Sequence, residues 1–239
     1  MLAGEPRSFV DLHCHTNASF DSLAAPEAVV RAAVARGLTH LAITDHDRIE
    51  GALRARDAAP AGLTVLVGEE IRTADGDLIA VFLERAVPPG MPAVDTIAAV
   101  REQGGLVGIP HPFDRFRGSL GKGETAWFEQ VAAEVDWIEA WNARIMFGDG
   151  NELAAALAGR LGIPGVAVSD AHTILEVAIA ATRAEGDPQT PEGLRAALAG
   201  PLELVTGRAS AYTRLIAPAA KLLQHARGRG RVKPKVARR

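Results

Sequence analysis

Short apolar runs of strand character alternate with helices of roughly ten residues along this chain, and run after run closes on a histidine or a carboxylate. Strand–helix alternation at this spacing calls for a mainly parallel sheet with helical crossovers. Five of the seven histidines fall at the C-terminal end of a predicted strand: His13, His15, His46, His111 and His172. Glu70 and Asp170 take equivalent places. In a barrel of parallel strands those ends meet around one rim, so ligands far apart in sequence converge in space.

The first of these ends, Asp11-Leu12-His13-Cys14-His15-Thr16, puts two imidazoles two residues apart. Strand side chains alternate between faces, which points His13 and His15 together and Val10, Leu12 and Cys14 toward packing helices. A paired imidazole set beyond a buried strand suits a divalent metal. Asp11 is expected behind the pair, orienting an imidazole.

Pro26 opens a helix that Gly37 ends, in the usual Pro-start, Gly-stop order. A strand over 38–44 runs into Asp45-His46-Asp47, and a helix over 51–59 leads to a strand over 63–67 and then Gly68-Glu69-Glu70. The turn Thr73-Ala74-Asp75-Gly76 precedes an apolar hairpin partner over 78–83. Further helices are predicted over 94–103 and 151–161, and strands over 106–109, 136–142 and 166–168. A last helix–strand pair (191–199, 202–205) and a short helix from Pro218 to Gln224 close the ordered part.

The net charge of −3 hides an asymmetry: residues 221–239 hold eight Lys or Arg and no Asp or Glu, leaving 18 basic against 29 acidic residues in 1–220, a body of −11. One domain over 1–220 and a basic, disordered tail over 221–239 are therefore expected. The tail has three readings: a solvated end, an arm docked on the acidic body, or a recruiter of nucleic acid through counterion release. The one cysteine, Cys14, excludes an internal disulfide and reads as a small core residue in a reducing, cytoplasmic protein. No long apolar run marks a leader or a membrane span, and the sequence leaves the oligomeric state open.

Asp11–Thr16, Ile43-Thr44-Asp45-His46-Asp47, Ile109-Pro110-His111-Pro112 and Ser169-Asp170-Ala171-His172 together resemble, in order and over about residues 9–175, the motifs of the polymerase-and-histidinol-phosphatase (PHP) family. The resemblance implies a distorted (β/α)7 TIM-like barrel with two or three divalent ions (Mn, Zn or Fe) at the C-terminal ends of its strands, hydrolysing phosphate esters. Carried over by position, one ion would take His13, His15, Glu70 and Asp170. Glu70, preferred over Glu69 because Gly68-x-Glu70-Ile71-x-Thr73 matches the third-strand pattern, would bridge to a second ion that also takes His111. A third would take His46, His172 and Asp21. Asp77 departs from the pattern, since several subfamilies place a histidine there; it could ligate in its stead or serve only as a turn residue.

Phosphate ester hydrolysis needs a nucleophile at neutral pH and neutralisation of phosphoryl charge, both of which clustered ions supply. His46 or Asp45 could protonate the leaving group. Arg115, Arg117 and Arg144 are candidates for the substrate phosphate; Glu139 and Asn142 end another strand near the same rim. The expected substrate is a small phosphorylated metabolite or nucleotide. The alternatives are a nuclease aided by the tail and a metal-binding barrel without catalysis. Deleting 221–239 should spare small-substrate hydrolysis and weaken turnover of an oligonucleotide.

Overall fold

The computed structural model describes residues 7–114, 118–120, 126–228 and 230–231. Among the described residues nine strands form one sheet: β1 (Arg7–Asp11), β2 (His40–Ile43), β3 (Thr64–Arg72), β4 (Asp77–Val81), β5 (Leu106–Ile109), β6 (Trp137–Asn142), β7 (Gly165–Val168), β8 (Ala181–Glu185) and β9 (Leu202–Val205). Their order is β7-β6-β5-β4-β3-β2-β1-β8-β9. The β1–β2–β3 and β5–β6–β7 pairings are parallel, while β4 is the antiparallel hairpin partner of β3 and also runs antiparallel to β5.

The sheet curls into a nearly closed, TIM-like barrel, as the sequence led us to expect. Across the gap, Cys14 bridges Ala171 and the His15 N–H donates to the Ala171 carbonyl at 2.8 Å. Asp11 Oδ1 accepts the Ser169 N–H at 3.1 Å, tying β1 to β7. Lower down, Thr182 on β8 closes the same seam, its hydroxyl accepting the Ala167 N–H at 2.9 Å and donating to the Ala167 carbonyl at 3.0 Å.

Helices α1 (Pro26–Ala35), α2 (Glu50–Ala58), α3 (Ala93–Arg101), α4 (Ala126–Ala132), α5 (Gly150–Leu161), α6 (Pro191–Ala199) and α7 (Ala211–Ala226) follow their strands. Two apolar layers result. Residues of β1 to β7, among them Val10, Ala42, Leu66, Ile79, Trp137 and Val166, fill the barrel together with Leu12 just beyond β1, and are joined by Leu194 and Leu198 of α6. Leu41, Ile43, Val107 and Ile138 face outward onto Val29, Val30, Ile97, Phe128 and Leu157 of the helices. Trp137 fits because β5 has Gly108 beside it: a Cβ there would fall 2.1 Å from the indole.

Several expectations need correction. β1 ends at Asp11, not at His15, and Val10 and Leu12 face the barrel interior; only Cys14 packs toward the helices, so the alternation breaks between Leu12 and Cys14. β3 runs on to Arg72, which places Glu70 inside a strand, where β3 leaves β2 and pairs with β4. β8, a short Ala-Thr-Arg-Ala-Glu run of low strand propensity, escapes a pattern reading. The last helix begins at Ala211, not at Pro218: the Ser210 side chain caps it by accepting the Thr213 N–H, and Pro218 sits inside it. The boundary at residue 220 therefore falls within α7, whose Gln224 is fully buried.

Candidate metal centre

Four imidazoles converge on one carboxylate. Glu70 Oε2 lies 3.4 Å from His13 Nε2, 3.4 Å from His15 Nε2 and 3.1 Å from His46 Nδ1, while Oε1 lies 3.3 Å from His111 Nε2. Asp170 Oδ1 lies 3.7, 3.6 and 3.4 Å from His13 Nε2, His15 Nε2 and His172 Nδ1. Asp21 Oδ2 lies 3.4 Å from His46 Nε2 and 3.2 Å from His172 Nε2. All eight residues predicted as ligands are thus brought together, each less than a tenth exposed. Donors roughly 2.0–2.2 Å from a shared ion stand roughly 3–3.5 Å apart, so this spacing fits metal coordination. Among the described residues the donor atoms of His15, Asp21, His46 and His172, and those of His13, His15 and Asp170, form two groups compact enough for an ion. His15 belongs to both, its ring between those of His46 and His172.

Three of the imidazoles are held from behind. His13 Nδ1 meets Glu139 Oε1 at 2.6 Å, His15 Nδ1 meets Ser19 Oγ at 3.2 Å, and His111 Nδ1 meets Ser119 Oγ at 3.2 Å. The other Glu139 oxygen accepts the His111 N–H at 2.9 Å and Asn142 Nδ2 at 2.8 Å; Asn142 also donates to Asp170 Oδ2 at 2.9 Å. Such contacts fix ring orientation and tautomer. His111 (φ 29°) and Asp170 (φ 51°) adopt left-handed backbone that a residue with a side chain rarely takes, a strain of about 1–3 kcal/mol each that functional sites tend to hold.

The electrostatics match. Burial pushes His13 down, but Asp170 and Glu139 outweigh it and hold the imidazole well above its ordinary value. Burial likewise opposes charge on His46, and Glu70 and Asp21 win, raising it. His15, buried beside His172, is held well below. Despite burial, the surrounding imidazoles keep Asp21 and Glu70 well below the usual carboxylate range. Protonated imidazoles among ionised carboxylates are the proton-loaded form of a cation site, because a divalent ion displaces those protons. Asp21 Oδ1 is buried without a hydrogen-bond partner among the described residues, an acceptor left over for a cation.

The remaining sequence candidates separate. Asp45 is turned from the cavity: its two oxygens accept the Thr16 N–H and hydroxyl, both at 2.6 Å, and burial raises it to about 6. Gly51 is required beside it, since a Cβ there would fall 1.9 Å from Asp45 Oδ2. Asp45 therefore positions the loop after His15 and is not placed to protonate a leaving group. Asp11 accepts the backbone N–H groups of His13 and Ser169, not an imidazole; the orienting role falls to Glu139. His40 is satisfied by Thr39 and Asp187. Arg115 and Arg117 lie outside the described residues. Arg144 lines the cavity over the centre, and its Nη1 is buried without a hydrogen-bond partner among the described residues.

That cavity, of about 530 Å³, is bounded by Phe20, Asp21, His46, Glu70, Asp77, Arg144, Asp170 and His172, with Phe147 at its edge. Two of its walls escape the sequence reading. Lys221 of α7 lies over the Phe20 ring, and Arg231 reaches Asp77, so the described part of the basic segment takes the docked arrangement. Nothing but its charge marks Arg231 in the sequence.

A family model described as PHP domain matches residues 11–147, and one described as PHP-associated matches 148–199. An uncharacterized protein of Methanocaldococcus jannaschii is 32% identical over 155 residues, covering 60% of this chain and 87% of the relative. A two-domain protein of Bacteroides vulgatus, described as containing a predicted PHP-like metal-dependent phosphoesterase, superposes with a TM-score of 0.71 at 20% identity, over 86% of this chain and 66% of that one. The lesion-specific endonuclease EndoQ of Pyrococcus furiosus superposes with a TM-score of 0.62 at 17% identity, over 83% and 58%. Among the described residues no helix is long and apolar enough to cross a membrane.

Proposed function

The chain belongs to the PHP-domain family, and from that premise we propose that it is a metal-dependent phosphoesterase hydrolysing a phosphate monoester of a small metabolite or nucleotide. The observation that carries this reading is the convergence of four imidazoles within 3.1–3.4 Å of the two oxygens of Glu70. His13, His15, Glu70 and Asp170 would hold one ion, Glu70 and His111 a second, and Asp21, His46 and His172 a third. A mixed imidazole and carboxylate set suits Mn²⁺, Zn²⁺ or Fe²⁺. Such ions, when bound, acidify water for attack and neutralise phosphoryl oxygens.

The protein's own groups do the rest. Glu139, Ser19 and Ser119 keep ring nitrogens aimed inward, and Asn142 holds Asp170. Arg144 offers a guanidinium N–H to phosphoryl oxygen. Of the two sequence candidates for the leaving-group proton, His46 is the one that lines the cavity. Asp77 is engaged by Arg231 at 2.7 Å, which argues against a ligand role for it.

A nucleic-acid phosphodiester is the second reading, favoured by the basic C-terminal residues and by the 75% exposed Phe147 at the cavity edge, where a base could stack. Metal analysis after reconstitution with Mn²⁺ or Zn²⁺, combined with turnover of sugar phosphates, histidinol phosphate and nucleoside bisphosphates, tests the proposal. At least two tightly bound ions and hydrolysis of a monoester are expected. A His13→Ala, His15→Ala double variant should lose turnover with its circular dichroism unchanged. Fewer than two ions together with no ester hydrolysis overturns the reading.

A further inference from the structure

A guanidinium inside a pocket of metal-ligating residues needs a reason, because it repels the cations the pocket suits. Arg231 arrives there from beyond α7, and its side chain is 21% exposed. Its Nη2 donates to Asp77 Oδ1 at 2.7 Å, and Nε lies 3.9 Å from Asp47 Oδ2. The Nε–H is buried and makes no hydrogen bond among the described residues. The group also sits over the Phe20 ring, 5.7 Å from its centroid, and that ring lies 4.8 Å from the His46 ring. Arg144, with a buried Nη1 that likewise lacks a hydrogen-bond partner among the described residues, lines the same cavity.

A latch that only fastened the C-terminus could use a surface carboxylate. Here the anchoring carboxylate is 3% exposed and bounds the cavity together with Glu70 and His46. Asp77 offsets the cation's cost and fixes its plane, leaving further N–H groups of a rigid fork for another planar or tetrahedral anion. An anion that bridges ions and a guanidinium turns their mutual repulsion into two attractions.

We propose that Arg231, carried into the cavity by the C-terminal segment and anchored on Asp77, is a phosphate-binding residue of this chain, taking phosphoryl oxygens from the side opposite the metal ligands. This rests on the phosphoesterase reading and makes the C-terminal segment part of the substrate site.

The test compares the full chain and its Arg231→Gln and Arg231→Lys variants, loaded with Mn²⁺, with inorganic phosphate as probe. Calorimetry should show phosphate binding weakened at least about tenfold in Arg231→Gln, equivalent to ~1.4 kcal/mol, with partial recovery in Arg231→Lys and an unchanged metal content. KM for a chromogenic aryl phosphate should rise by a similar factor. Phosphate affinity within about twofold of the parent overturns the proposal and leaves Arg231 a structural latch. An inert chain whose phosphate affinity still depends on Arg231 would instead count against the phosphoesterase reading alone. If the variants do not fold, the unaltered chain still decides: phosphate should slow tryptic cleavage after Arg231 relative to Arg227, and an equal rate overturns the assignment.

Discussion

Glu139 has no oxygen to spare for an ion, yet it sets where the ligands point. One oxygen meets His13 Nδ1 at 2.6 Å; the other takes the His111 N–H and the Asn142 amide. Glu139→Gln keeps the shape but turns one of these acceptors into a donor facing a donor. Loss of a partner that orients a ligand imidazole costs about ten- to a hundredfold in metal affinity. Titration of the variant with Mn²⁺ should show a loss of that size at the His13 site with the fold intact, and an unchanged affinity would refute the orienting role. Seven of the eight candidate ligands are legible in the sequence because each stands at the end of a strand-like run; Asp21, in the loop after His15, is reached only through the family resemblance. Glu139 shares that signal only in part, since nothing distinguishes it there from Asn142 or Arg144. Asp45 misleads for the opposite reason: it stands beside a ligand in sequence, but its partner Thr16 is 29 residues away and pulls it from the cavity.

At the scale of elements, the alternating strands and helices and the β3–β4 hairpin can be read from apolar runs and turn residues. What escapes is what depends on distant packing. β8 is held by pairing with β1 and β9 and by Thr182 against β7, not by its own propensity. α7 depends on a serine cap and on where Gln224 lands. The Gln224 amide donates to the carbonyls of Asn17, Ser19 and Ser22 at 2.8, 3.1 and 2.9 Å. Those residues flank Asp21 and include the Ser19 that holds His15. Gln224→Leu leaves buried carbonyls unsatisfied, at a cost of about 1–3 kcal/mol. A lower urea midpoint and a weaker ion at the Asp21 site are the expected outcome, and a denaturation curve that coincides with the parent's would show that the loop holds itself. A deletion starting at residue 221 removes Gln224 and Arg231 together, so the sparing of small-substrate turnover expected from sequence no longer follows.

For the whole molecule, the question becomes which part of the basic segment acts on what. Arg231 and Lys221 stand at a cavity on a body of net −11, where Arg231 pairs with Asp77 and Lys221 lies over the Phe20 ring. Residues 232–239 add Lys233, Lys235, Arg238 and Arg239 with no acidic residue. Deleting 232–239 therefore isolates the tail's charge from α7 and from the proposed phosphate ligand. If those four cations contact a nucleic-acid backbone, the slope of log affinity against log salt should fall by up to about 3–4 on their removal, at about 0.7–0.9 per phosphate neutralised. Under the monoester reading the truncated chain keeps its kcat and KM for an aryl phosphate. Any oligonucleotide binding that remains should lose most of its salt dependence, and filter binding between low and moderate salt measures this. A truncated chain that bound and cut an oligonucleotide as the full chain does would place nucleic-acid recognition in the cavity itself, with Phe147 and Arg144 as its first suspects.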